Sequence, residues 1–236
     1  MNIRIKFSKT GPLRFISHLD VMRYFQKVIR RADMDICFSE GFSPHMLMSF
    51  AAPLGVGLTS EGEYVDIRMN HAPSSREALE RMNAVMAEGM EAISFRRLPD
   101  NSKNAMSIVA AADYEVRFRQ GREPGKDWEK RLLDFLDQPA IRVLKDTKKG
   151  QQEVDIRPWI YDCTIQDGVI RMQVSAGSVH NLRPELFIQV FALHERQGYL
   201  VTSSELHIHR LEIYADQGTE GKRRLIPLEA LGEDIG

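Results

Sequence analysis

Apolar and polar residues follow two different periods along this chain, and their order predicts an α+β protein. Residues 3–8, "IRIKFS", alternate with a period of two, which is typical of a strand with one buried face. Residues 17–32 change to helical spacing. Ser17 and Asp20 have the spacing of a capping box, so the helix is predicted to begin directly after Ser17. The buried side of this helix is predicted to contain Val21, Met22, Phe25, Val28 and Ile29.

The same reasoning extends over the rest of the chain and gives two similar halves. In the first half, strands are predicted at residues 46–51, 64–69 and 92–98, and a helix starts at Ser74 or Ser75 and stops at Gly89. This order is βαββαβ. After a polar linker at residues 99–105, the order repeats with an additional hairpin at "KKGQQ". We therefore predict an α+β fold of two ferredoxin-like (βαββαβ) halves, the second with an extra β-hairpin. The predicted domains are residues 1–98, residues 106–215 and a tail of residues 216–236.

Composition narrows the class of protein further. Hydrophobic residues make up 43% and charged residues 28% of the chain, as in ordinary globular proteins. No segment approaches the roughly 20 apolar residues of a membrane span, so we expect a cytoplasmic protein without a membrane partner. The two cysteines, Cys37 and Cys163, have no metal-ligand spacing and are expected to be reduced, partly buried thiols.

Basic residues cluster at the amino-terminal end although the net charge of the whole chain is only -1. Residues 1–35 contain eight basic and three acidic side chains, a local excess of five positive charges that includes Arg4, Lys6 and Lys9. Such clustering suits phosphate groups, and the alternative is a solvated helix face. Lysines at a protruding hairpin tip are a further candidate for phosphate contact. The candidate nucleic-acid-binding residues are Arg14, Arg23, Lys27, Arg30, Arg31, Lys148 and Lys149.

Residues 39–67, "SEGFSPHMLMSFAAPLGVGLTSEGEYVDI", concentrate glycines and prolines around one histidine, His45. Such a segment is first a structural corner and second a surface that faces a ligand. Catalysis is the third interpretation, with His18 as the only partner for acid–base chemistry by His45. The predicted loop surface consists of Gly41, Phe42, Pro44, His45, Gly55, Gly57 and Glu63.

A second histidine pattern, His207-x-His209, places two rings on one face of a predicted strand. A metal ion can bridge this spacing, but structural sites use four ligands and no third ligand is evident. We therefore expect an exposed strand face and no metal or other cofactor.

Three stretches, "RFISHLDVMRYFQKVIRRADM", "FSEGFSPHMLMSFAAPLGVGLTSEGEYVDI" and "KKGQQEVDIRPWI", resemble the radical-SAM-linked protein family. In that family, a domain of this kind occurs alone or fused to a protein with cobalamin-binding and radical S-adenosylmethionine domains. The resemblance implies a radical-SAM/cobalamin-binding protein as partner and points toward RNA or ribosome-related metabolism. Because this chain lacks Cys-x-x-x-Cys-x-x-Cys, it cannot hold the radical-SAM cluster itself.

Together these features favour a non-catalytic accessory module that binds RNA or presents a substrate to a separate radical-SAM enzyme. One alternative is a metal-independent endoribonuclease that uses His18 and His45. The other is a protein–protein interaction module with the glycine-rich segment as its docking surface.

Overall fold

The computed structural model describes residues 1–147, 150–195, 201–219 and 221–236, and these form an α+β protein, which confirms the predicted class. Within these residues the α-helices are α1 (His18–Arg31), α2 (Ser75–Asn83), α3 (Ala105–Ile108), α4 (Trp128–Leu136) and α5 (Pro184–Glu195). The strands are β1 (Asn2–Lys9), β2 (Met48–Phe50), β3 (Thr59–Arg68), β4 (Met90–Leu98), β5 (Val109–Phe118), β6 (Arg142–Thr147), β7 (Gly150–Asp155), β8 (Ile160–Gln166), β9 (Val169–Ser175), β10 (Leu206–Asp216), β11 (Leu225–Pro227) and β12 (Glu233–Asp234).

The chain forms two compact units whose limits differ from the predicted domains. Met1–Ala111 and Arg210–Gly236 form the first unit, and Ala112–His209 forms the second. The predicted linker, residues 99–105, lies inside the first unit and runs into the short helix α3. Residues 216–236, predicted as a separate tail, also belong to the first unit because β11 pairs with β10 and β12 pairs with β4.

In the first unit β1 is a central strand, paired antiparallel with β3 on one side and β4 on the other. The outer edge of β3 is shared: β2 pairs with its carboxyl-terminal part, for example Met48 opposite Ile67, and β10 is its other neighbour. The prediction that each half is ferredoxin-like stays a prediction.

One face of this sheet carries the core of the first unit. Ile3, Ile5 and Phe7 of β1 are fully buried against α1, where the rings of Phe7 and Phe25 lie 4.5 Å apart. The predicted start of α1 is confirmed: the backbone N–H of Asp20 donates to Ser17 Oγ, and the backbone N–H of Ser17 donates to the Asp20 carboxylate, each at 3.3 Å. Because this box satisfies amides that a helix start leaves unpaired, it fixes where α1 begins.

The opposite face of β1 is also covered, which corrects the sequence interpretation of Arg4 and Lys6 as surface cations. Arg4 is buried, donates to both carboxylate oxygens of Asp66 at 2.8 and 2.9 Å, and donates to the Leu228 carbonyl. Lys6 contacts the Glu229 carboxylate at 2.9 Å. The carboxyl-terminal segment therefore lies over β1, and the alternating pattern of this strand marks two covered faces instead of one.

In the second unit the strand order is β5-β9-β8, and β6 and β7 form a separate hairpin. Aromatic side chains of α4 and α5 supply much of its core, with Trp128 against Phe118 and Phe135 against Phe187 and Phe191. No helix in the described parts of either unit combines the length and apolar character needed to cross a membrane.

Candidate functional site

The outward face of α1 carries a continuous line of cations. Arg23, Lys27 and Arg31 follow one another at i, i+4 spacing and are all exposed, as is Arg30 beside them. Each i, i+4 step advances about 6 Å along a helix, so the positive charges are evenly spaced along the axis. We call Arg23, Lys27, Arg30 and Arg31 the basic ridge.

These charges are largely uncompensated by acidic neighbours. The closest approach is between Arg23 Nη1 and Asp20 Oδ1, at 3.7 Å, and the Arg23 side chain remains 70% exposed. Over the described parts of the chain, Lys27, Arg30 and Arg31 make no ion pair. On α2, by contrast, Arg76 and Arg81 are paired with Glu80 and Glu77 at 2.9 and 2.5 Å. Since solvated helix faces commonly interleave opposite charges as α2 does, the basic ridge is distinctive within this unit.

A short 3₁₀ turn, Gly11–Phe15, leads into the amino-terminal end of α1 and presents Arg14 and Phe15. The guanidinium of Arg14 lies over the Phe15 ring, 4.7 Å from its centroid, and the ring is 62% exposed. The backbone N–H of Gly57 donates to the Arg14 carbonyl at 2.7 Å, which brings the exposed Val56 to the same turn. Phe15, Leu19 and Val56 are each more than half exposed.

Buried charged residues stabilise the turn that precedes α1. Lys9 Nζ donates to the Ile16 carbonyl at 3.1 Å, directly after the turn. Burial lowers the pKa of Lys9, the charge of Glu63 opposes this effect, and the charge of Arg210 adds to it. Glu63 is itself buried and accepts hydrogen bonds from Nε and Nη2 of Arg210, so it is a structural group of β3. This burial corrects the prediction that Glu63 belongs to the loop surface.

The two histidines proposed for catalysis lie in different surroundings. The His18 ring meets Phe50 edge to face at 5.2 Å and lines a small cavity with Lys9 and Glu63. His45 is exposed, its Nδ1 lies 2.8 Å from Ser39 Oγ, and it lines a separate cavity. In the described structure no hydrogen bond joins the two rings, so the geometry brings together no acid–base pair from them.

The predicted loop surface is otherwise exposed. Gly41, Phe42 and Pro44 lie in the turn between the bridged residues Phe38 and Met46, and the Phe42 side chain projects entirely into solvent. Gly41 has φ 106° and Gly57 has φ 91°, backbone conformations that favour glycine. Gly55 is exposed as well.

The remaining predicted residues lie outside this region. Lys148 and Lys149 fall outside the described residues. His207 and His209 share one face of β10, and no group of three or more potential metal ligands forms anywhere in the described structure. Both cysteines are free and half-buried, and burial raises the pKa of the Cys163 thiol to about 12.

Sequence reasoning missed the exposure of Phe15, and Tyr24, the aromatic residue next to Arg23 in α1, offers no comparable surface. The Tyr24 hydroxyl instead accepts a hydrogen bond from the Ala87 N–H at 2.7 Å, so this side chain is structural. The signal that points to Phe15 is its position beside Arg14, just before the capping residue Ser17, where the chain has not yet entered the helix that buries apolar side chains.

Fold and site thus define an α+β protein with an uncompensated basic helix and a neighbouring exposed aromatic residue. Its residues 2–184 match the family described as "Uncharacterized protein conserved in bacteria (DUF2344)", and the chain belongs to this family. No curated protein sequence matches it. Among solved structures, a chain of "Crystal Structure of a Cbf5-Nop10-Gar1 Complex" is similar with a TM-score of 0.48 and 9% identity, covering 89% of this chain and 48% of that one. The protein spans about half the length of that chain, and a likeness at this level supports no functional argument.

Proposed function

We propose that this protein is an RNA-binding accessory module whose basic ridge contacts the phosphate backbone. The observation that carries the proposal is the contrast between two neighbouring helices. The cations of α2 are neutralised by carboxylates one turn away. Those of α1 are exposed, and in the described structure only Arg23 among them makes an ion pair, with Asp20 at 3.7 Å. A row of uncompensated cations attracts a polyanion because binding releases the counterions condensed on the phosphates.

The partner and the setting are further parts of the proposal. The sequence resembles a radical-SAM-linked family, so we propose that the module presents RNA or another substrate to a separate radical-SAM/cobalamin-binding protein in the cytoplasm. We also propose that the two halves, residues 1–98 and 106–215, are ferredoxin-like. These statements rest on the resemblance and on the order of the elements.

Fluorescence anisotropy with labelled RNA at several salt concentrations tests the proposal. The wild-type chain is expected to bind at low salt and to lose affinity steeply as salt rises. A triple variant, Arg23→Ala, Lys27→Ala and Arg31→Ala, is expected to lose most of this binding. All three side chains are exposed, so this variant should retain its thermal stability.

The matched control is the double variant Arg76→Ala and Arg81→Ala on α2, which removes cations that already have acidic partners. It is expected to bind nearly as the wild type does. If the two variants bind equally well, or if the wild type binds no RNA at low salt, RNA binding by the basic ridge is excluded. RNA cleavage that disappears in His45→Ala would replace the proposal with a ribonuclease, and capture of the radical-SAM partner without RNA would replace it with a protein-interaction module.

A further inference from the structure

We infer that the RNA bound by the basic ridge is single-stranded and that one of its bases stacks on Phe15. The inference deepens the proposed function and rests on it. It starts from the Phe15 ring, which is 62% exposed although the first unit has a well-buried core nearby. Exposure of a phenylalanine ring to water is not favourable, and at a charged site the ring offers an apolar face to a ligand.

Two features of the turn favour a nucleobase as the ligand of the Phe15 ring. Arg14 lies over one face of the ring at 4.7 Å, so a cation already accompanies the aromatic surface and a base would stack on the other face. Phe15 lies just before α1, whose first turns carry the exposed Leu19 and the exposed Arg23. A strand that stacks one base on Phe15 would therefore have Arg14 beside that base and the basic ridge further along α1. An apolar protein partner would instead have to bury these uncompensated cations, at a cost in desolvation.

The turn is also held in place, as a stacking platform requires. Its carbonyl at Arg14 accepts from the Gly57 N–H at 2.7 Å, and the carbonyl at Ile16 accepts from the buried Lys9 ammonium at 3.1 Å. A platform fixed by its backbone loses little conformational freedom when a base binds.

Duplex RNA does not fit this arrangement, because its bases are stacked on one another and its edges lie within the grooves. Proteins that bind single strands combine a positive surface along the backbone with aromatic side chains on which bases stack. The basic ridge and Phe15 supply these two components on consecutive segments of one chain.

The test compares a labelled oligouridine of about 12 nucleotides with a duplex RNA of the same length. The wild type is expected to prefer the single strand. Phe15→Ala is expected to weaken single-strand binding by between about 5-fold and about 100-fold while leaving duplex binding unchanged. Phe15→Leu keeps an apolar side chain without a ring and should behave like Phe15→Ala, whereas Phe15→Trp should retain or improve affinity.

The outcomes separate this inference from the proposed function. If the basic-ridge variant loses RNA binding but Phe15→Ala and Phe15→Leu bind as the wild type does, stacking is excluded and phosphate binding stands. If Phe15→Leu retains affinity that Phe15→Ala loses, Phe15 is an apolar contact and not a stacking surface. If no RNA binds at all, the proposed function itself fails.

Discussion

The guanidinium of Arg210 closes on the carboxylate of Glu63, with Nε 2.8 Å from one oxygen and Nη2 2.6 Å from the other. The two residues are 147 positions apart in sequence, and both are almost completely buried. Arg210 Nη2 also donates to the Ala52 carbonyl at 2.6 Å. The pair therefore ties β3 and the segment after β2 to the late strand β10, within the unit that carries the basic ridge.

Breaking this pair from one side is expected to destabilise the first unit strongly. Arg210→Met leaves a buried carboxylate without its partner, and such losses cost about 3–5 kcal/mol. The double variant Glu63→Leu and Arg210→Met removes both charges and should recover most of the loss, because buried pairs often contribute little beyond an apolar replacement. Urea unfolding followed by circular dichroism measures both. If the single and double variants lost the same free energy of unfolding, the unpaired Glu63 carboxylate would not be the cause of the loss.

Gly62 permits a close approach between β3 and β10. A Cβ atom at this position would lie 2.5 Å from the Leu211 carbonyl oxygen and 2.7 Å from Glu212 Cα, both backbone atoms that cannot move aside cheaply. Gly62→Ala is therefore expected to lower the free energy of unfolding by about 1–3 kcal/mol or more, as overpacking does. Thermal unfolding gives the measurement.

Gly55 provides the matched control, because a Cβ there would meet only Leu58 Cδ1 at 3.7 Å, an ordinary contact. Gly55→Ala should change the stability by no more than about 0.5 kcal/mol. A similar loss in both variants would mean that the glycine-rich segment needs its glycines for flexibility, and not for the β3–β10 approach.

Features that depend on neighbouring residues could be predicted from the sequence. The start of α1 depends on Ser17, Asp20 and a helical apolar spacing, all within a few residues of one another, and it was predicted correctly. The α+β class follows from similar local patterns. Such features need no knowledge of distant segments.

The burial of Arg4 and Glu63 depends on residues at the other end of the chain. Arg4 donates to Leu228, 224 positions away, and Glu63 depends on Arg210. A strand with alternating charged residues has the same pattern whether its second face meets water or a covering segment. Phe15 is the reverse case, an apolar residue that is exposed. Sequence reasoning missed it because apolar residues are expected to be buried.

The contact between Lys6 and Glu229 predicts acid sensitivity of the carboxyl-terminal segment. Burial alone would raise the pKa of Glu229, but the hydrogen bonds that its carboxylate accepts and the charges of Lys6 and Arg96 together outweigh burial and hold this pKa below its usual value of 4.5. A carboxyl group with a lowered pKa in the folded state contributes stability above pH 4.5 that is lost as the pH falls through the folded value. Acidification below about pH 4.5 should therefore loosen residues 225–235 from β1.

Hydrogen exchange of residues 225–235 at several pH values measures this loosening. Glu229→Gln removes the titrating group, so the variant should show weaker protection at neutral pH and a smaller change on acidification. An unchanged acid response in Glu229→Gln would assign the sensitivity to other carboxylates, such as Glu212, which contacts Lys6 at 2.7 Å.

The slope of the salt dependence of RNA binding should reflect the number of basic-ridge cations that contact phosphate. Each phosphate neutralised on a single strand contributes about -0.7 to the slope of log K against log salt, so four contacts give a slope of about -3. Arg31→Ala should reduce the magnitude of the slope by about 0.7, because its exposed side chain has no acidic partner in the described structure. Arg76→Ala, whose side chain is paired with Glu80, should leave the slope unchanged. A slope that responds equally to both variants would mean that RNA contacts the general charge of the unit and not the face of α1.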